Sequence, residues 1–542
     1  MNRPHGSLHP ESFLLAIDVG TLSARAGLFR PDGEFLAARS AAFDLLQPAE
    51  HHAVYRMDEI WAAVCSAVRA VVAAVPGAAA GVAGLAIDAA SSMVLVAEGD
   101  PPLEERCDVI CWMDHRAEAE AKLIDATADR YLGFVGGTVS PEMFLPKLLW
   151  MKRHRPADWR RVRAVRALSD EIAFRATGID LASVCSLACK FPYLPGDAEP
   201  WRHPLLDQLG MSDLLERGTL AGQPGRVGHR HGSLSPVAAH GFGLSPGVPV
   251  AVGLIDAEAG ALGVLGRDFA PKMNRILALI GGTSTCYMSW AEDMRPISGI
   301  WGPFKDAVFP GFWMHEAGQS FSGAALDAVL DHHPASPGRA SAEHHTATIA
   351  EIMTLLDQEG PSFAAKRHLV PDWLGNRAPL GDGNARAIMT GIGVDSGRRA
   401  FLEEYYATAR ALALQSRHII EHLNAHGYAI DRVSLSGGHT RNPLLVRLYR
   451  DALGAGLVTT KTNEPVLLGT AMVAAVGAGL QPDLFAALDA MSAPQRAHAA
   501  DPRWARAHDA AYATYLKLFA IRNEIEAQST SLAAEPSAAG VY

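Results

Sequence analysis

The sequence predicts an α/β protein of two domains facing each other across a cleft, and three observations lead there. First, the runs Leu14-Leu15-Ala16-Ile17-Asp18-Val19-Gly20-Thr21-Leu22-Ser23 and Leu277-Ala278-Leu279-Ile280-Gly281-Gly282-Thr283-Ser284-Thr285 occupy corresponding places in the two halves. In each, an apolar strand ends in Gly and then Thr or Ser, so the chain turns sharply and gathers backbone N–H groups with hydroxyls, a setting that suits a polyphosphate. Second, 542 residues exceed what one core supports, which points to two domains of about 200–270 residues each. Third, the apolar strand Ala83 to Asp88 ends in a carboxylate, and ligands collect at the strand ends of open α/β sheets.

The elements follow in order. After Ser23, the stretch Ala24 to Phe29, the turn Arg30-Pro31-Asp32-Gly33 and the run Glu34 to Phe43 read as two more strands of an antiparallel meander. Asp58 to Val75 reads as a helix, and Cys107 to Met113 as a strand reaching Asp114. Leu145 to Arg153 and Leu168 to Gly178 read as helices, the second stopped by Gly178. Pro195 to Pro249 is rich in Pro, Gly and His and reads as loops and short elements on the first domain. The strand Val248 to Leu254 then reaches Asp256, and the small residues Ala257 to Gly263 suit a closely packed helix.

A boundary near Gly266 to Lys272 gives a first domain over 12–268 and a second over 272–480. The second contains a long helix, Ser396 to Gly427, then the strand Arg432 to Leu435, the glycine turn Ser436 to Pro443 and another helix. Residues 481–526 read as a helical extension whose end, Asp501 to Glu526, is amphipathic, and 527–542 as a disordered tail.

Composition excludes several classes. An apolar fraction of 49% is ordinary for a globular protein, and a net charge of −10 argues against a dedicated nucleic-acid surface while leaving small-molecule substrates open. No apolar run is long enough for a membrane helix, and Met1 to Ser12 is polar where a signal peptide needs an apolar core, so a cytoplasmic protein without a membrane partner is expected. Six cysteines make no disulfide framework. Cys107/Cys111 and Cys185/Cys189 have i, i+4 spacing that would pair thiols on a helix face, but without CxxC knuckles they read as buried free thiols rather than a four-cysteine zinc site. Asp331-His332-His333 and Glu343-His344-His345 lie in a Pro/Ser/Gly/Ala-rich stretch and read as a solvated loop.

The chemistry centres on Asp256, a carboxylate between an apolar strand and a helix start. A helix N-terminus favours the ionised form, which suits a base accepting a hydroxyl proton, and equally suits a simple helix cap. Asp18 is placed to hold the hydrated Mg2+ that accompanies ATP, or to stabilise its turn. There is no GxxxxGK[ST] run, His115-Arg116-Ala117 is not followed by the protein-kinase pattern, and Gly318 to Gly323 does not have GxSxG spacing. P-loop enzymes, protein kinases and serine hydrolases are disfavoured.

From about Phe13 to Gly479 the chain resembles the FGGY family of carbohydrate kinases, and within it the D-ribulokinase-like pentulose kinases. The residues that carry the resemblance are Trp112 to Ala117, Ser140 to Met143 with Pro146 to Trp150, Cys189-Lys190-Phe191, Gly253 to Ala257, Gly318-Gln319-Ser320, Pro371 to Pro379 and Pro465 to Ala471.

The resemblance implies duplicated ribonuclease H-like (actin-like ATPase) domains around a cleft, with ATP and Mg2+ as cofactors. It implies that Asp256 is the general base and binds sugar with Ser91, Lys190 and Glu316; that Thr21, Ser23, Gly282, Thr283, Gly323, Gly438 and Asn442 bind ATP; and that Asp18 is the metal carboxylate. D-ribulose phosphorylated to D-ribulose 5-phosphate is the expected reaction. L-ribulose, D-xylulose and ribitol are alternatives, as are a catalytically silent sugar-binding protein and an actin-like polymerising ATPase; a homodimer is the expected assembly. Four positions depart from the pattern: Ala90-Ser91-Ser92 stands for Thr-Cys-Ser, Glu258 for His, Trp373-Leu374 for Phe-His, and Ser436 for Cys. The first two lie beside the sugar hydroxyls and bear on which sugar fits.

Overall fold

Apolar strands that end in glycine turns build two seven-stranded sheets with the same plan. In the computed structural model, which describes residues 12–534, the first sheet runs Phe35–Ala42, Ser23–Phe29, Phe13–Val19, Val82–Ala89, Pro249–Ala251, Arg230–Ser233, with Leu254–Ile255 paired to the end of Val82–Ala89. The second runs Trp301–Lys305, Trp313–Gln319, Thr285–Ala291, Ile276–Gly281, Arg432–Gly437, Gly456–Thr460, Gln495–His498. Each has an antiparallel meander of three strands whose first strand also pairs in parallel with a strand arriving from a distant crossover. The duplication inferred from the two hairpins is therefore real, and both central strands are almost wholly buried, as strands covered on both faces must be.

The helix Pro465–Gly477 lies at the join. It is buried for most of its length and packs on Phe13–Val19, Val82–Ala89 and the helix Asp256–Leu262, although it comes from the far end of the sequence. Glycines allow the approach: a Cβ on Gly469 would lie 2.0 Å from the Ala259 carbonyl oxygen, and one on Gly263 1.9 Å from that of Pro465. The small-residue run after Asp256 thus serves backbone-to-backbone packing.

Several sequence expectations are revised. Cys107 to Met113 is extended only at Val109–Ile110, in a small four-stranded sheet, because Asp108 and Asp114 at its flanks accept the backbone N–H groups of Met57 and Ala53. Cys107 and Cys111 share no helix face.

The two His-rich segments are helical, not a solvated loop. His332 ends the helix Gly323–His332, while Ser341 caps Ala342–Glu359 by accepting from the His344 N–H, and His345 is held between Asp327 and Tyr405. The stretch 481–526 holds the helix Leu484–Met491, the edge strand Gln495–His498 and most of the terminal helix. That helix, Pro502–Ala534, continues through the first part of the expected tail, whose Ala and Gln residues favour it; 535–542 lie outside the described residues. Among the described residues no helix is long and apolar enough to cross a membrane.

Gly469→Ala is expected to destabilise the protein by about 1–3 kcal/mol through overpacking at the helix crossing. Urea unfolding measures this, and an unchanged midpoint would contradict the packing described.

Candidate active site

Three carboxyl groups meet at the ends of adjacent strands in the first sheet. Asp18 and Asp88 are register partners across parallel strands, and Leu254 pairs with Asp88 so that the chain delivers Asp256 beside them, at the first position of Asp256–Leu262. Asp18 and Asp88 are buried. In the second sheet the corresponding register pair is Ile280 and Ser436, so acid is concentrated on one side of the cleft.

The surroundings treat the three differently. Arg25 donates from two nitrogens to Asp18 Oδ2 and reaches Glu464 at 3.1 Å. Asp18 is therefore not a bare carboxylate, as its turn alone suggests, but one with a resident counter-charge. Thr470 donates its hydroxyl to Asp88 Oδ2, whereas Asp88 Oδ1 is buried without a hydrogen-bond partner. Burial, and then the Asp18 charge, push the Asp88 carboxyl well above the usual range. The same two causes push Asp256 up to about 7, although its Oδ1 accepts the Ala257 N–H at 2.7 Å. A carboxyl poised near neutrality at a cleft is suited to proton transfer. A hard divalent cation fits this donor set, since it takes carboxylate oxygens and Asp88 Oδ1 has none of its bonding satisfied by protein.

The two hairpin turns are each closed by a backbone hydrogen bond. Gly20 N–H bonds to the Ser23 carbonyl at 3.1 Å, and the Trp112 indole donates to Thr21 Oγ1 at 3.1 Å, which leaves the Thr21 hydroxyl hydrogen free to point elsewhere. Ser23 opens the second strand. Across the cleft, Gly282 N–H bonds to the Ser284 carbonyl at 2.8 Å and Thr283 is exposed.

Gly323 N–H bonds to Gly282 O, and Gly437, at φ 77°, stacks its backbone on Gly281 just before Gly438. The structure thus brings Gly282, Thr283, Gly323 and Gly438 close together. Asn442 follows the turn 438–441, and its Oδ1 accepts from Leu444 and Leu445 N–H as the cap of Pro443–Ala452, so that oxygen is committed to the helix.

Lys190, the last residue of Val184–Lys190, and Glu316, on Trp313–Gln319, come from opposite halves and lie 3.7 Å apart, both buried. Burial works against the lysine's charge, but Glu316 and then Glu258 hold its pKa above the ordinary value. Ser91 sits in the turn after Asp88, partly exposed.

Sequence reasoning missed a second pair between the halves. Arg377 bonds Glu142 at 2.5 Å and stacks on Trp301, 4.6 Å from its ring centre, while Lys190 flanks the same ring at 5.0 Å. Gly318 makes room, since a Cβ there would lie 2.2 Å from Arg377 Cδ. Both residues stand in segments that carry the family resemblance, yet only the fold pairs them.

Comparison with known proteins bears on the fold and the family. Residues 13–263 match the N-terminal domain of the FGGY family of carbohydrate kinases and residues 277–478 its C-terminal domain. An FGGY carbohydrate kinase domain-containing protein from Homo sapiens is 34% identical, covering 88% of this chain and 90% of its own length. A D-ribulokinase from Saccharomyces cerevisiae is 31% identical over 86% of this chain and 72% of its own. Among solved structures, xylulose kinase from Rhodospirillum rubrum superposes with a TM-score of 0.78 at 21% identity, covering 95% of this chain and 99% of that one. Plasmodium falciparum glycerol kinase with ADP superposes with a TM-score of 0.73 at 13% identity, covering 94% and 98%. These likenesses establish the two-domain fold.

Asp256→Asn is expected to lower kcat by roughly 10²–10⁴ while nucleotide affinity stays near wild type. Steady-state kinetics with a separate ADP-binding titration checks it, and retained turnover would remove Asp256 from the base position.

Proposed function

With the chain a member of the FGGY family of carbohydrate kinases, which use ATP to phosphorylate sugars, we propose that it phosphorylates the terminal hydroxyl of a ketopentose, D-ribulose to D-ribulose 5-phosphate. The observation that carries the reading is the position of Asp256. It stands between the acidic strand ends and the buried Lys190–Glu316 pair, with its carboxyl held up to about 7. Similarity to D-ribulokinase and ribulokinases supports the pentulose.

In this reading Ser91, Lys190 and Glu316 hold the sugar so that its terminal hydroxyl bonds Asp256. Thr21, Ser23 and Thr283 offer hydroxyl donors to the phosphates, Gly282, Gly323 and Gly438 let the nucleotide approach the backbone closely, and Asn442 stands on the nucleotide side. Mg2+ beside Asp18 supplies charge neutralisation to the phosphates when bound. Arg25 orients Asp18, and Thr470 keeps Asp88 in place beside it. Asp256 accepts the hydroxyl proton as the oxygen attacks, in a reaction that depends mainly on positioning and charge. Because Lys190–Glu316 and Glu142–Arg377 both join the halves, closure over the sugar excludes water from the phosphoryl group.

The test is ADP release with MgATP across D-ribulose, L-ribulose, D-xylulose, ribitol and aldopentoses. The expected result is highest kcat/KM on D-ribulose. Preference for another sugar would replace the substrate assignment, and tight sugar binding without ADP release would replace the kinase with a silent binding protein. Glu316→Gln is expected to raise KM for the sugar with little change in KM for ATP, and an equal rise in both would take Glu316 out of the sugar pocket.

A further inference from the structure

Behind Lys190, the Val184–Lys190 helix presents two thiols that the kinase reading does not use. Cys185 and Cys189, one turn apart, face Glu258 on the neighbouring helix, and the three offer ligand atoms within 4.8 Å of one another. Cys189 Sγ lies 3.6 Å from Glu258 Oε1. All three residues are buried. Two polar atoms at this place have no hydrogen-bond partner: Glu258 Oε2, and the hydroxyl of Tyr131, a buried residue close enough to Cys189 to feel its charge. An unsatisfied buried oxygen is costly, and Glu258 Oε2 beside a thiol pair points to a group that all three would serve.

We propose that Cys185, Cys189 and Glu258 bind one Zn2+ ion. Two sulfurs and a carboxylate are ligands for a borderline-soft cation, whereas Mg2+ and Ca2+ take oxygen sets. The fourth tetrahedral position goes to a water. Binding transfers one proton from each thiol, and the proton of Glu258 where it is held, to solvent; nothing is oxidised or reduced. Two thiolates and a carboxylate leave the bound centre one negative charge in excess, which Lys190, adjacent in sequence to Cys189 and electrostatically coupled to Glu258, offsets.

Such a centre ties the helix carrying Lys190 to the helix carrying Asp256. It is not the four-cysteine arrangement that the missing CxxC knuckles already disfavour, because Cys111 lies elsewhere, with its sulfur 3.0 Å from the Tyr55 hydroxyl. Metal binding does not depend on which sugar the protein phosphorylates.

The full-length protein, produced in zinc-supplemented medium and desalted through a weak chelator, is analysed for metal by mass spectrometry. It is also stripped and titrated with Co2+. The expected result is one zinc per chain and a near-ultraviolet sulfur-to-cobalt band, with zinc lost in Cys185→Ser and in Cys189→Ser. Glu258→Gln is expected to keep the band and bind Co2+ more weakly. Absence of the band from the wild-type protein, which needs no variant to fold, would overturn the proposal. So would zinc bound equally by wild type and both serine variants, since that metal sits elsewhere.

Discussion

Three carboxyl groups at the ends of neighbouring strands are the constraint around which the rest is arranged. Strand spacing of about 4.8 Å sets the repulsion between two ionised neighbours at roughly 3 kcal/mol for an effective dielectric of about 20. The protein does not leave this uncompensated. Arg25 lies on Asp18, Thr470 donates to Asp88, and Asp256 takes the N–H of Ala257 at its own helix start. Burial and the Asp18 charge raise the other two carboxyls so that the cluster need not carry three negative charges at once. What results is a set of acids with different proton affinities in one place, which is what separates a base from a structural neighbour.

Holding that cluster requires elements from both ends of the chain. Thr470 and Glu464 reach the first sheet at and just before the Pro465–Gly477 helix, whose glycine contacts with the Asp256 helix fix it at backbone distance. The first sheet and its acids are thus completed by a segment that follows the whole second sheet in sequence. The same logic appears across the cleft, where Lys190 meets Glu316 and Glu142 meets Arg377, with Trp301 between the two cations. Pairs that span two bodies tie the geometry of one half to that of the other.

What the sequence disclosed follows from how local each feature is. The strand runs before Gly20 and Gly282, the carboxylate near the end of the first and the helix stop at Gly178 are legible because apolar pattern and turn chemistry act within a few residues. Arg25 as the partner of Asp18 was not read from the hairpin, although the two face each other across it, because a turn signal says nothing about which side chain crosses back. Glu142 and Arg377 lay in recognisable segments but pair over a long sequence gap that only the fold closes. Asn442 has a role that its motif does not disclose, since its oxygen caps the helix that Pro443 begins. The His-rich stretch misled through composition, since Ser341 caps a helix whose first turn is otherwise polar.

The central claim is that a sugar hydroxyl and the terminal phosphate of ATP meet at Asp256. A crystal structure with D-ribulose and a non-hydrolysable ATP analogue tests this most directly. The account predicts the terminal hydroxyl at about 2.6–3.2 Å from an Asp256 carboxylate oxygen, the γ-phosphate in line behind it, and the phosphates on the turns at Gly20 and Gly282. A sugar bound with its terminal hydroxyl turned away from Asp256, or a nucleotide seated off both turns, would contradict it.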